Sequence, residues 1–529
     1  MESGQFNWPP HLIDAIPVEA TQKKISIYTI ALEGWRRGLD LKFYMERGDD
    51  NERHLRYSLA YQGREHHFQG SKGDKITDEA QRICDDKHLT YEALLKENVP
   101  VPRGLKFSDD RTDDDIVSEA GKIGFPLVLK PTNGSGGKGV IVNITSEEEL
   151  RRGLAYVRQQ LHFKDVIIEK FVKGEEYRVF VLEGQVLGAV NRLPANVIGD
   201  GKKTIGQLIE EKNEERKVVP HLYNRPIKLD KQFYNTTRAL GITLNTVPGK
   251  GERVLLKRVS NISAGGDPVD VTDTLTEEMK DIAAAAVKAV PGLTHCGLDM
   301  IVDRENNTAA VIELNTRPGL GSHLFPIEGK GRDIPKALID YYFPETAHIS
   351  TSGSNIFFRM KDSEYVLKQN LADEVEMAPC PGKELNLKKV MITSASPMTQ
   401  LKSKVKDFLL SGSFSGYFKI NSSKQFQFLL GHPSEEAVEE AVRSLLKILN
   451  EAGPLKVHTE DTAGPISARF DILEKGVLDG GDFMIEREKK LDEYELLMKD
   501  INRAERRLGN FRKQALSKAA GPFRKVIKR

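Results

Sequence analysis

The sequence predicts a multidomain chain that mixes α/β and α+β units. Three observations predict it. Two short apolar stretches, His295 to Asp303 and Ala310 to Asn315, are rich in branched residues and flank Asn306-Asn307, so they read as a β-hairpin. An apolar stretch from Gly124 to Pro131, with Lys130 near its end, runs into four glycines and a lysine between Thr132 and Val140. From about Leu387 to His458 the pattern reads strand, helix, two strands, helix, strand. With 529 residues the chain has room for three or four domains, each with its own core. The expected divisions are 1–75, a small α/β domain; 76–350, the central domain; 351–465, the β-α-β-β-α-β domain; and 466–529, a charged helical basic tail.

Each element follows in order. Lys23 to Arg37 reads as a helix and Leu41 to Tyr44 as a strand. Ser71 to Lys75 reads as a linker, with substrate contact the alternative. Lys75 to Asn98 is predicted as one helix, ended by Val99-Pro100-Val101-Pro102. Gln207 to Arg216 is a charged helix. Thr274 to Val290 is amphipathic, with Thr276-Glu277-Glu278 near its start and Pro291-Gly292 as its stop. Thr351 to Ser354 marks the next boundary. Ile485 to Gln514 reads as a long helix, and from Ile501 onward there are ten Lys or Arg against one Glu. That tail reads as a solvated segment, or as an anchor for an anionic polymer or membrane surface.

The formal net charge of +1 points to no charged partner. Cys84, Cys296 and Cys380 share no close spacing, which argues against disulfides or zinc and for a reducing, cytoplasmic setting. No basic segment leads into an apolar run at the start, and the longest apolar run, Ala283 to Val290, contains Lys288 and is too short to span a bilayer.

The chemistry sits in three segments. Pairing of the hairpin would bring Asp299 opposite Glu313, with Asn315 nearby. Two carboxylates and an amide oxygen form a hard donor set suited to Mg²⁺, although two ordinary acids at a hairpin rim would look the same. The glycines after Lys130 let backbone N–H groups close on phosphates, and Lys130 and Lys138 would neutralise them. The spacing is not that of a P-loop. Val166 to Val179 reads as a strand, a polar hinge and a second strand. Backbone from Lys170 to Val172 would edge-read an adenine, and the Glu176 carboxylate would hold ribose hydroxyls.

In this order, from about Lys87 to Pro344, the motifs resemble the ATP-grasp superfamily of carboxylate–amine ligases. The resemblance implies that Lys87 and Lys130 bind phosphates and that Ser135, Gly136, Gly137 and Lys138 lie in the phosphate-covering loop. It casts Glu169 as the acceptor from the adenine amine, Lys170, Phe171 and Val172 as the base-lining hinge, and Glu176 as the ribose ligand. Asp299, Glu313 and Asn315 match the metal ligands. Asn315 to His323 is similar to the matching loop of D-alanine–D-alanine ligases, which carry an arginine two places before the metal aspartate; this chain has Gly297 there. Asn191 to Ile205, Arg258 to Gly266 and Val269 to Asp273 resemble segments of cyanophycin synthetases and of the ligase half of bifunctional glutathione synthetases. Arg192, Arg258 and Asn261 fall inside these segments and are the candidates for stabilising an acyl phosphate and a tetrahedral intermediate; surface ion pairing is the alternative for the two arginines. No Gly-rich P-loop follows, which argues against polymerisation by the two-site route of cyanophycin synthetases.

The β-α-β-β-α-β order is ferredoxin-like and the segment is similar to acylphosphatases. Asn421 matches that family's water-orienting asparagine. Its phosphate-binding arginine has no counterpart between Ser394 and Gln400, where Lys402 is the nearest cation, so a non-catalytic module is expected. Taken together, the resemblances imply an ATP- and Mg²⁺-dependent (or Mn²⁺-dependent) enzyme that joins a carboxylate to an amine, both amino acids or peptides, through an acyl phosphate. The alternatives are an ATP-sensing module without turnover and a bifunctional ligase–acylphosphatase. Homo-oligomer formation stays open.

Overall fold

A computed structural model describes residues 6–48, 51–132, 139–382, 384–462 and 464–473. The described residues pack into two compact units, one holding those up to Glu384 with Gly464–Ile466, the other those between Leu385 and Thr462 with Ser467–Leu473.

The first unit contains three larger sheets. Near the N-terminus, helix Ile25–Arg36 is buried along almost its whole length and packs on strands Asp40–Arg47 and Arg53–Tyr61. Arg64–Gln69 and Lys72–Gly73 extend this sheet on one side. On the other side the edge is Glu374–Glu376, which pairs with Asp40–Arg47 from more than three hundred residues away. The sequence pattern carried no sign of that strand.

The helix expected from Lys75 to Asn98 is two helices, Asp78–Asp85 and Lys87–Lys96. The break is at Asp86, whose carboxylate accepts from the N–H groups of His88 and Leu89 and so caps the second helix instead of continuing the first.

The second sheet runs Gly104–Phe107, Val166–Lys170, Leu127–Pro131, Ile141–Ile144, all antiparallel. Helices Asp113–Gly121 and Glu147–Leu154 cover it, burying Ile116, Val117, Leu150 and Leu154 against Leu127, Leu129 and Ile168. The third sheet, also antiparallel, runs Asp267–Asp270, Gln185–Leu193, Glu175–Leu182, His295–Asp303, Thr308–Asn315. Helix Glu277–Lys288, capped by Thr276, lies on one face, where Met279, Ala283 and Val287 join Tyr177, Val179, Leu298 and Met300 in one core. The charged helix is Ile205–Val218, with Thr204 and Gln207 forming a capping box at its start.

The second unit runs Asn386–Ser394, Lys402–Ser411, Ser415–Ser422, Gln425–His432, Glu435–Leu449, Leu455–Asp461, the β-α-β-β-α-β order that the pattern predicted. Its sheet order is Leu455–Asp461, Asn386–Ser394, Gln425–His432, Ser415–Ser422, with antiparallel neighbours. A further strand, Phe470–Leu473, adds in parallel beside Ser415–Ser422. The first residues of the expected helical tail are therefore extended, because a free sheet edge offers them backbone partners. The rest of that tail, with its basic run, lies outside the described residues. No helix among the described residues is long and apolar enough to cross a membrane.

Leu298 is fully buried at the centre of the third sheet. Leu298→Ala leaves a cavity there and is expected to cost about 2–5 kcal/mol of unfolding free energy, read as a lowered denaturation midpoint for the first unit. An unchanged midpoint would mean that this sheet is not the core of that unit.

Candidate active site

Alternation builds the site on the third sheet. Along Glu175–Leu182, Tyr177, Val179 and Val181 enter the helix-covered core, so Glu176 and Arg178 face the other way. Along His295–Asp303, Cys296, Leu298, Met300 and Val302 enter the core, and Asp299 joins Arg178 on the opposite face. The last strand would break this arrangement if it were regular. Ala309 and Val311 point into the core, so strict alternation would bury Glu313 too. A bulge prevents it: Asp299 pairs with Glu313 while Met300 pairs with Val311, which leaves Ile312 as the extra residue. Beyond it Leu314 enters the core, and Glu313 stands directly opposite Asp299 on the site face. Gly297 pairs with Asn315 two residues further along.

The row of charges continues sideways. Arg178 is the cross-strand partner of Asp299 and grips it with two parallel bonds, Nε to Oδ1 at 2.7 Å and Nη2 to Oδ2 at 2.8 Å. Arg192 reaches the same Oδ2 at 2.7 Å and also pairs with Glu176. Burial pushes the Asp299 carboxyl up, but Arg178 and Arg192 outweigh it and hold it below its usual value. Burial also raises Glu176, with Arg192 opposing and Asp299 reinforcing. Glu313 is exposed and has no hydrogen-bond or ion-pair partner among the described residues. The Asn315 amide oxygen accepts from the Arg317 N–H at 2.8 Å. Oxygen donors from two paired strands on one face fit Mg²⁺, which takes one or two protein carboxylates and completes its shell with water and phosphate oxygens. Among the described residues no cluster of three or more His, Cys, Asp or Glu competes with this set.

A cavity of about 390 Å³ collects three of the nucleotide candidates. Lys87, Lys130 and Glu169 line it, with Tyr91, Lys106 and Ile312. Lys130 and Glu169 lie on neighbouring strands and form a buried ion pair at 2.6 Å. The Glu169 carboxylate, expected to accept from a base, is thus held by the lysine expected to bind phosphate. Lys170, Phe171, Val172 and Glu176 do not line this cavity. The Lys170 ammonium donates to the carbonyls of Gly124 and Phe125 at 3.1 and 2.7 Å, and the Phe171 N–H donates to that of Pro126. The hinge is therefore tied to the turn that precedes the lysine strand. Ser135, Gly136, Gly137 and Lys138 lie outside the described residues.

The three catalytic candidates separate. Arg192 joins the carboxylate row. Arg258 is exposed and makes no ion pair among the described residues. The Asn261 side chain accepts from the Ser263 N–H at 2.9 Å and caps the short turn Ile262–Ala264. Sequence reasoning missed Arg178. Its signal was its position two residues after Glu176, which puts both on one strand face. His323 was also passed over: it is fully buried, neither ring nitrogen has a partner among the described residues, and burial followed by Arg178 lowers it to about 3. A Cβ at Gly297 would stand 2.5 Å from that of Pro318, so no side chain fits two places before Asp299, where dipeptide ligases carry arginine.

Residues 84–321 match the ATP-grasp domain family, so the chain carries an ATP-grasp domain. Cyanophycin synthetase of Trichormus variabilis is 33% identical over 312 residues, 56% of this chain and 34% of that protein. The bifunctional glutathione biosynthesis protein of Clostridium perfringens is 31% identical over 290 residues, 52% of this chain and 36% of that protein. The chain thus spans about a third of the length of these curated relatives. Among solved structures, a bifunctional glutathione synthetase from Pasteurella multocida aligns at 27% identity with a TM-score of 0.45, covering 57% of this chain and 41% of that one. ATP and Mg²⁺ are the general cofactors of ATP-grasp ligases.

The Lys130–Glu169 pair makes a stability prediction. Lys130→Met and Glu169→Gln each leave one buried polar partner unmatched, and Lys130→Met alone is expected to cost about 3–5 kcal/mol. The double variant should recover most of that loss in urea unfolding. Additive losses would mean that the two groups do not depend on each other.

Proposed function

We propose that the chain is an ATP-dependent carboxylate–amine ligase that forms an amide bond between amino acids or peptides through an acyl phosphate. The observation that carries the reading is the bulged pairing that sets Glu313 opposite Asp299 with Asn315 alongside, one hard-oxygen set on one sheet face. In this reading Asp299, Glu313 and Asn315 hold Mg²⁺, which when bound neutralises the nucleotide phosphates. Lys87 and Lys130 hold phosphate oxygens from the cavity side. Lys138, with Ser135, Gly136 and Gly137, adds to the phosphate contacts. Glu169 and the backbone of Lys170 to Val172 hold the base, and Glu176 the ribose. Binding of the nucleotide then requires Lys130 to exchange Glu169 for phosphate.

The chemistry follows from these placements. A substrate carboxylate oxygen attacks the γ-phosphorus, the bond to the β-phosphate oxygen breaks, and ADP leaves. The amine attacks the acyl carbon, loses a proton, and expels phosphate. Arg192 offers a guanidinium to the developing charge beside the metal carboxylates, and Arg258 and Asn261 serve the acyl centre from the adjoining loop. Water must be excluded while the acyl phosphate exists. Relatives that act in glutathione and cyanophycin synthesis support amino-acid or peptide substrates.

The second unit is proposed as a ferredoxin-like, acylphosphatase-like module without hydrolytic activity. Its strand order supports the fold. The Asn421 amide donates to Gln427 at 3.4 Å, and no arginine stands between Ser394 and Gln400. A lysine such as Lys402 is a point charge without the fork that grips phosphate bidentately.

Two measurements test these readings. Glu313→Gln is expected to abolish ADP release across a panel of amino acids while thermal unfolding is unchanged; full turnover would remove Glu313 from the metal site. The full chain is expected to leave benzoyl phosphate unhydrolysed above background, whereas hydrolysis that disappears in Lys402→Ala would make the protein bifunctional.

A further inference from the structure

Asp299 carries more hydrogen bonds than any other candidate metal ligand. Three N–H groups converge on its two oxygens: two from Arg178 and one from Arg192. A carboxylate offers about four lone-pair sites, so among the described residues one remains open, on Oδ1, which takes a single bond. The two arginines differ in how they hold it. Arg192 divides itself between Glu176 and Asp299. Arg178 spends its fork on Asp299 alone, from the directly paired position of the next strand. Planar bidentate contact fixes both the position and the rotation of a carboxylate, which a single ammonium does not.

We propose that Arg178 is a positioning residue that clamps the Asp299 carboxylate in the orientation in which its open lone pair meets a divalent cation. The proposal rests on the metal–nucleotide reading of the site. Orientation matters here because Mg²⁺ demands near-octahedral geometry at short distances, so a swinging carboxylate costs affinity. Gly297, on the strand of Asp299 itself, is hemmed in by Pro318 and admits no side chain, and Arg192 shares its guanidinium with Glu176, so the two-bond grip on Asp299 comes from strand Glu175–Leu182. Arg178 does not touch the nucleotide cavity, which separates its effect on metal from any effect on the base.

The test uses the full chain with Mn²⁺ as the probe, free Mn²⁺ being followed by electron paramagnetic resonance in the presence of ADP. Arg178→Lys keeps the charge and loses the fork. Arg178→Gln is measured alongside it, since an uncharged side chain at this part-buried position avoids placing an ammonium there. Both are expected to bind Mn²⁺ roughly 10- to 100-fold more weakly, the usual range for an outer-shell partner, while ADP affinity without metal stays within about twofold of wild type. Equal or tighter Mn²⁺ binding by a folded variant would overturn the proposal and leave Arg178 a competitor of the ion or a substrate group. Absence of ADP-dependent Mn²⁺ binding in the wild-type chain would instead sink the metal–nucleotide reading beneath it.

Discussion

A slip of one residue along His295–Asp303 would carry Asp299 into the helix-covered core and turn Leu298 outward. Side chains alternate with a period of two, so the register of this strand is the constraint on which the site depends. It is set from both sides. On one side Arg178 stands opposite Asp299, and on the other Glu313 does. The core opposes any slip, because Cys296, Leu298, Met300 and Val302 are all buried on the far face. The bulge at Ile312 then performs a local inversion that regular pairing could not: it lets one strand contribute Ala309 and Val311 to the core and Glu313 and Asn315 to the site.

Charge balance is the second condition. Glu176 and Asp299 are carboxylates on a partly buried sheet face, and Glu313 lies beside them. Unpaired, such groups would take up protons or force the sheet apart. Arg178 and Arg192 oppose that and hold the Asp299 carboxyl below its usual value, whereas burial leaves that of Glu176 raised. The same logic operates on the second sheet, where Lys130 and Glu169 neutralise each other across paired strands. Both arrangements hold the groups in place before any ligand arrives.

Much of this was legible in the sequence, for reasons that can be named. The hairpin announced itself because its turn is local: Asn307 takes a left-handed backbone conformation, φ 51°, that asparagine tolerates, and the strands on either side are apolar. The helices at Ile25–Arg36 and Glu277–Lys288 were legible for the same reason, their signals lying within a turn or two of each other. What escaped was non-local. Arg178 meets Asp299 across 121 positions, and strand Glu374–Glu376 joins an N-terminal sheet from the far end of the unit. The break at Asp86 was local but ambiguous, since an aspartate inside a helical pattern reads equally as a surface residue and as a cap. The bulge left a trace, apolar residues at 309, 311 and 314 instead of a strict alternation, but Ile312 obscured it.

The ATP-grasp domain supplies a nucleotide-binding frame, and the bulged, arginine-braced strand pair is where, in the proposed reading, that frame would hold a metal. Anomalous diffraction from crystals grown with Mn²⁺ and a non-hydrolysable ATP analogue locates the ion directly. The account predicts one strong manganese peak within coordination distance of Asp299 and Glu313, bridged to the analogue's phosphates. A peak elsewhere, or phosphates bound with no ion between these two carboxylates, would contradict it.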